Sequence, residues 1–253
     1  MVSMKKRLCV ILSAVLLTVL FGACSPAGSG GGKENLAFPD TTWEMNMDEV
    51  MAAYGVAAEE TQACSDAGRG PAFTLGDREV FGQKAQSVAF SFVNLKLDES
   101  RDLQSFDEES MGGQEVLAQV WVMYPAGTDM TKVAEELDKL YGGSSLSEVT
   151  LYPLYNALDT GELQEKKEQA SDTLKIWGTD TVGTAIGEED AGFFRENWPI
   201  YQTGMKAEDW DDFSQKARFV TVLCVDDESA PYVQFDAYNL AVYEELKAQL
   251  GAA

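Results

Sequence analysis

Two runs rich in β-branched and aromatic residues, 218–225 and 232–238, are joined by a short acidic stretch, Asp226-Asp227-Glu228, followed by Ser229-Ala230. So short a connection fits only an antiparallel hairpin, because parallel neighbours need a crossover of about a dozen residues or more. The same rhythm recurs upstream. Residues 73–75 and 79–81 flank Gly76-Asp77 and read as a second hairpin. Val88, Phe90 and Phe92 alternate with Ala89 and Ser91, and the alternation resumes at Leu95 and Leu97, which predicts a long strand with a bulge near Val93. Residues 116–124 form another long strand, stopped by Pro125-Ala126-Gly127. Residues 173–177 and 181–186 flank a Gly178-Thr179-Asp180 turn. Strands paired in this way and separated by single helices predict an α+β fold: an antiparallel sheet built from hairpins, with helices packed on one face.

The helices carry their own punctuation. Asn46 can cap a helix, Glu49 can reach back to the Asn46 amide, Met45 can staple against Val50, and Gly55 marks the stop. A second helix starts at Thr128 or Asp129, lines up Met130, Val133, Leu137, Leu140 and Tyr141, and ends at Gly142-Gly143. Further helices are expected at 207–216 and at 240–250, the last capped by Asn239, with a short strand at 149–152 and a solvated helix at 162–169. Pro39 and Pro199 each precede a Met by six residues, but so few identities do not make a repeat, and residues 38–253 read as one domain.

The first 37 residues are of another kind. Lys5, Lys6 and Arg7 precede an uncharged run, 8–23, that closes on small residues and Cys24. Charged, apolar and small residues in that order mark a secretory signal, and the run falls short of the roughly 20 apolar residues of a membrane span. Its ending, Phe21-Gly22-Ala23-Cys24, resembles the lipobox of bacterial lipoproteins, with Phe21 where leucine is usual. That resemblance implies removal of residues 1–23, a diacylglycerol on Cys24, and a place on the outer face of the cell membrane. Residues 24–37, rich in Gly and Ser, then read as a flexible linker. The glycines are no phosphate cradle, since they lack the preceding strand and the following Lys-Ser/Thr pair.

Charge and residue inventory narrow the chemistry. The formal net charge is −23, and −26 once Lys5, Lys6 and Arg7 leave with the signal, so no nucleic-acid partner is expected. There is no histidine, which removes the Ser-His-Asp triad, the Cys-His dyad and the HExxH zinc site. Cys9 departs with the signal, and Cys64 and Cys224 remain for one disulfide or two separate thiols. Asp and Glu are abundant, yet neither the Glu208-Asp209 to Asp211-Asp212 run nor 226–228 has the spacing of a calcium loop. Neither a metal nor a cofactor is expected.

The stretch Trp43-Glu44-Met45-Asn46-Met47-Asp48-Glu49-Val50, closing on Tyr54-Gly55, resembles a helix opening of Firmicutes lipoproteins. More distantly, it is similar to the helix that begins the repeats of β-lactamase inhibitory protein and to the small lipoprotein of the outer-membrane barrel-assembly machinery. Leu137 to Gly142 followed by Leu174-Lys175-Ile176-Trp177 is similar to another arrangement in such lipoproteins. The resemblance implies helices on an antiparallel sheet and a protein-binding role. The shared residues are cap and core residues and speak to fold more than function; the expected function, which needs no residue type the chain lacks, is a membrane-anchored, noncatalytic binding module with a protein or cell-wall partner. The alternative is an envelope hydrolase working through carboxylates or a serine–lysine pair. Trp198, Tyr201 and Trp210, in a stretch between clearer strands, are the candidate partner-binding residues, with core packing as the alternative for each.

Overall fold

The computed structural model describes residues 35–57, 62–63, 72–95, 115–144, 146, 175–202 and 205–252. Residues 1–34, with Cys24, lie outside these, as do Cys64, the expected strand at 149–152 and the expected helix at 162–169. The fold is α+β. The strands are β1 (Gln62–Ala63), β2 (Ala72–Val80), β3 (Gln83–Val93), β4 (Val116–Met123), β5 (Lys175–Gly178), β6 (Thr221–Val225) and β7 (Tyr232–Asp236). They form one sheet in the order β1-β2-β3-β4-β7-β6-β5, antiparallel throughout. The α-helices are α1 (Met47–Ala53), α2 (Met130–Tyr141), α3 (Val182–Ala185), α4 (Ala191–Asn197), α5 (Trp210–Lys216) and α6 (Tyr238–Ala252).

One sheet face carries the main core. Phe73, Leu75, Val88, Phe90, Phe92, Leu117, Val120, Val122, Val233 and Phe235 are buried there beside α2 residues Met130, Val133, Ala134 and Leu137. The period-2 pattern of the strands and the heptad-like spacing of α2 meet on this face. Leu140, expected in the α2 stripe, is instead 44% exposed; Tyr141 turns inward and donates its hydroxyl to the Ala37 carbonyl at 2.7 Å. A second cluster gathers Val182, Phe194, Trp198, Trp210, Phe213, Val242 and Leu246 from α3 to α6 against Val93 and Ala118.

Three local expectations move. Gly76-Asp77 is no turn: Gly76 pairs with Ser87 and Arg78 with Ala85 in one continuous register, and Asp77 absorbs the local kink at φ +27°. The hairpin turns at Phe81-Gly82, where both residues have positive φ (48° and 69°), the signature of a type I′ turn. Phe81 tolerates that conformation because its ring is buried, edge-on to Phe38 and stacked on Phe235. Residues 181–186, expected as a strand, bridge Arg218 only at Thr181 and then wind into α3. Val182 sends its amide to the Ala217 carbonyl and buries its side chain, so tertiary packing overrides β propensity. The last helix begins at Tyr238; Asn239 lies in its first turn and donates its side-chain amide to the Arg218 carbonyl instead of capping.

The bulge expected near Val93 falls between Ser91 and Phe92, where the register against β4 slips by one and leaves Ala118 as the extra residue. The folded body also takes in Asn35–Ala37, which the composition assigned to the linker, because Leu36 is 3% exposed.

The α1 cap is a full capping box: the Glu49 amide donates to Asn46 Oδ1 at 2.9 Å and the Asn46 amide donates to Glu49 Oε2 at 3.0 Å. Asn46→Ala is expected to lower the unfolding free energy by about 1 kcal/mol, read from equilibrium urea denaturation. An unchanged midpoint would remove the cap from the account.

Candidate functional site

The aromatic candidates come first, because their positions decide whether they can meet a partner. Trp198 is 0% exposed in the 3-10 turn that continues α4, and Trp210 is 4% exposed at the start of α5. Their rings lie 5.7 Å apart, and Trp198 also packs on Phe194 and Phe213. Tyr201 is half-buried, takes the Tyr238 hydroxyl on its carbonyl, and receives the Gln249 amide on its own hydroxyl. The exposed patch expected from these residues does not exist. The stretch is helical and its aromatics make the second core.

Among the described residues, Leu240 lines two concavities. The first, of about 250 Å³, is lined by Asn35, Thr179, Asp180, Thr184, Phe219 and Leu240, among others. Its polar atoms are largely engaged: Thr179 Oγ1 takes the Val220 amide at 3.0 Å, the Thr179 carbonyl takes Arg218, Thr184 Oγ1 donates to the Thr181 carbonyl, and Asn35 Oδ1 takes the Ala37 amide. It is built to hold loops together.

The second is a groove of about 210 Å³ along α6. The helix buries Tyr238, Val242 and Leu246 in the second core, so the residues beside them, Ala241, Glu244, Glu245 and Ala248, form a separate stripe at i, i+3, i+4 and i+7. The two alanines leave the space. The lining also takes in Trp43 and Glu44 from the segment before α1, and Val93, Leu95, Val116 and Leu117 from the ends of β3 and β4. Trp43 is fixed there by its indole N–H, which donates to the Asn35 carbonyl at 2.8 Å. The floor is apolar and the walls carry three carboxylates. Glu244 meets Lys247 at 3.9 Å, Glu245 accepts from Gln249, and Glu44 has no ion pair among the described residues. Sequence reasoning missed this groove. Its only sequence signal is the pair of alanines seven residues apart on the helix.

The described lysines sit elsewhere. Lys84, Lys132, Lys139, Lys175, Lys206, Lys216 and Lys247 all pair with carboxylates, not with serine hydroxyls. Cys224 is a buried free thiol in β6, and burial pushes its pKa up to about 12, so it is protonated and inert at neutral pH. Among the described residues no three His, Cys, Asp or Glu side chains converge as a metal site, and no helix is long and apolar enough to cross a membrane.

One carboxyl is set apart. Asp236, at the end of β7, takes the Gln119 side-chain amide on Oδ2 at 2.7 Å and the Tyr238 amide on Oδ1 at 3.1 Å, which satisfies the first turn of α6. Burial raises its pKa above the ordinary carboxylate value, while those two hydrogen bonds pull the other way. Comparison with protein-family models, curated proteins and solved structures finds no match to this chain.

With a folded-state pKa above the unfolded one, Asp236 favours folding fully only below the unfolded value, and that contribution is lost as pH rises through the folded value. Asp236→Asn is therefore expected to gain most over wild type around neutral pH, with wild type closing on it as pH falls toward about 4. Urea denaturation at each pH reads the difference. A variant that is weaker at neutral pH and level with wild type in acid would show that the hydrogen bonds outweigh burial.

Proposed function

We propose that this chain is a lipid-anchored protein of the outer face of the cell membrane, whose body binds a partner without transforming it. The observation that carries the reading is the junction Phe21-Gly22-Ala23-Cys24, behind a basic and apolar leader and ahead of a Gly/Ser-rich stretch. The fold is consistent with that order. Among the described residues, Leu36 and Phe38 are the first buried apolar side chains, both 3% exposed, and they follow the stretch whose composition suits a tether.

From Ser25 to Glu34 are ten residues, and a flexible chain of that length spans on the order of 15–20 Å. The body would stand close to the membrane and be held off it by charge, since membranes with anionic lipids repel so acidic a protein. The α6 groove, with an apolar floor and a fixed tryptophan on its wall, supplies a recognition surface of the kind that takes a segment of another protein.

Expression of the full-length chain in a bacterium tests the anchor. Mass spectrometry is expected to find Cys24 as the first residue of the mature protein, carrying a diacylglycerol. Cys24→Ser should leave the precursor uncleaved or release the protein from membranes. An unmodified Cys24 inside an intact chain would end the lipoprotein reading.

A further inference from the structure

We infer that the α6 groove recognises a cationic segment of a partner protein, seating one bulky apolar side chain on its floor with Lys or Arg on either side. The inference rests on the reading of the body as a noncatalytic binder and gives that binder a site and a ligand chemistry.

Size comes first. At about 210 Å³ the groove is smaller than the roughly 300–1,000 Å³ that small-molecule sites occupy, but it suits a large side chain offered by a peptide. The floor is supplied by Val93, Leu95, Val116 and Leu117, so the seated group is apolar.

Charge then selects its neighbours. Glu44 from the segment before α1 and Glu244 and Glu245 from α6 all line the groove, so a segment lying in it comes within reach of carboxylates from two elements. Lys247 is the one cation within ion-pair distance of these three among the described residues, and at 3.9 Å it engages Glu244 alone while also lying over the Tyr243 ring. Among the described residues an acidic segment would meet three like charges, whereas a basic one could pair with them. The chain's net charge of −23 adds a long-range attraction that steers cations toward the body and rejects anions.

Geometry makes the site filled or empty at single positions. Ala248 is exposed on α6 and lines the groove, so a larger side chain there occupies the space without entering either core. Glu44 and Glu244 are exposed, Glu245 is half-buried, and none belongs to either core, so their neutralisation leaves the packing intact.

The test uses the full-length protein in zwitterionic phosphatidylcholine nanodiscs, with empty nanodiscs as the blank. A dye-labelled octapeptide with a central Phe-Leu pair flanked by lysines is titrated by fluorescence anisotropy, beside matched peptides with serine or glutamate for lysine. Saturable binding of the lysine peptide is expected, weakening as salt rises, with the glutamate peptide unbound. Combined Glu44→Gln, Glu244→Gln and Glu245→Gln should weaken it on the order of tenfold. Ala248→Trp should abolish it while leaving the unfolding midpoint in place. Equal binding of the lysine and serine peptides would overturn the charge assignment, and binding that survives Ala248→Trp would overturn the groove. Lysine peptide recovered intact yet unbound sinks the inference alone; peptide recovered cleaved sinks the noncatalytic reading beneath it.

Discussion

The Phe38 ring is the point on which the body turns. It lies 6.4 Å from the Tyr54 ring at the end of α1, 5.9 Å from Phe81 in the hairpin turn, 5.7 Å from Phe90 in β3 and 5.2 Å from Phe235 in β7. Those partners are far apart in sequence, and the sheet alone does not hold α1 or the turn to β7. Among the described residues the segment that carries Phe38 pairs with no strand, so its carbonyls are met otherwise. Tyr54 donates its hydroxyl to Pro39, Tyr141 donates to Ala37, and the Trp43 indole donates to Asn35. Burial raises the pKa of both tyrosines, which keeps them as donors well beyond neutral pH. The strap therefore joins both helices to the sheet and carries Trp43 to the groove.

That dependence links fold to function. The groove wall opposite α6 is the end of the strap, so its shape is set by contacts that begin at Asn35, next to the expected tether. The α6 side rests on other supports: Val242 and Leu246 in the second core, and Asp236 and Ala237 at its start. The Ala237 amide reaches the carbonyl of Ala118, the bulged residue of β4. The bulge thus helps set the position of the helix that forms the other wall.

Legibility in the sequence followed the range of the interactions. The β6–β7 hairpin, the α1 capping box and the glycine stop of α2 are local, and each shows in the order of a few residues. The type I′ turn escaped because Phe81 adopts positive φ for the sake of a ring buried against Phe38 and Phe235, a reason lodged elsewhere in the chain. α3 escaped likewise: its Gly183 lies so close to α5 that an added Cβ would meet the Ser214 carbonyl at 3.0 Å. For Trp198 and Trp210 the residues alone left surface patch and core both open, because their burial depends on α4 and α5 meeting through these rings. Of the functional assignments, the anchor motif is written in consecutive residues. The groove is not, since Ala241 and Ala248 have meaning only across from Trp43.

The central claim is that residues 35–43 hold the helices to the sheet, and Phe38→Ala tests it most directly. Equilibrium urea unfolding of this variant is predicted to show a loss of about 3–5 kcal/mol in a single transition, as expected for a buried phenylalanine at a junction of elements. A loss below about 1 kcal/mol would contradict it, because a ring that can be removed so cheaply is not holding the helices to the sheet.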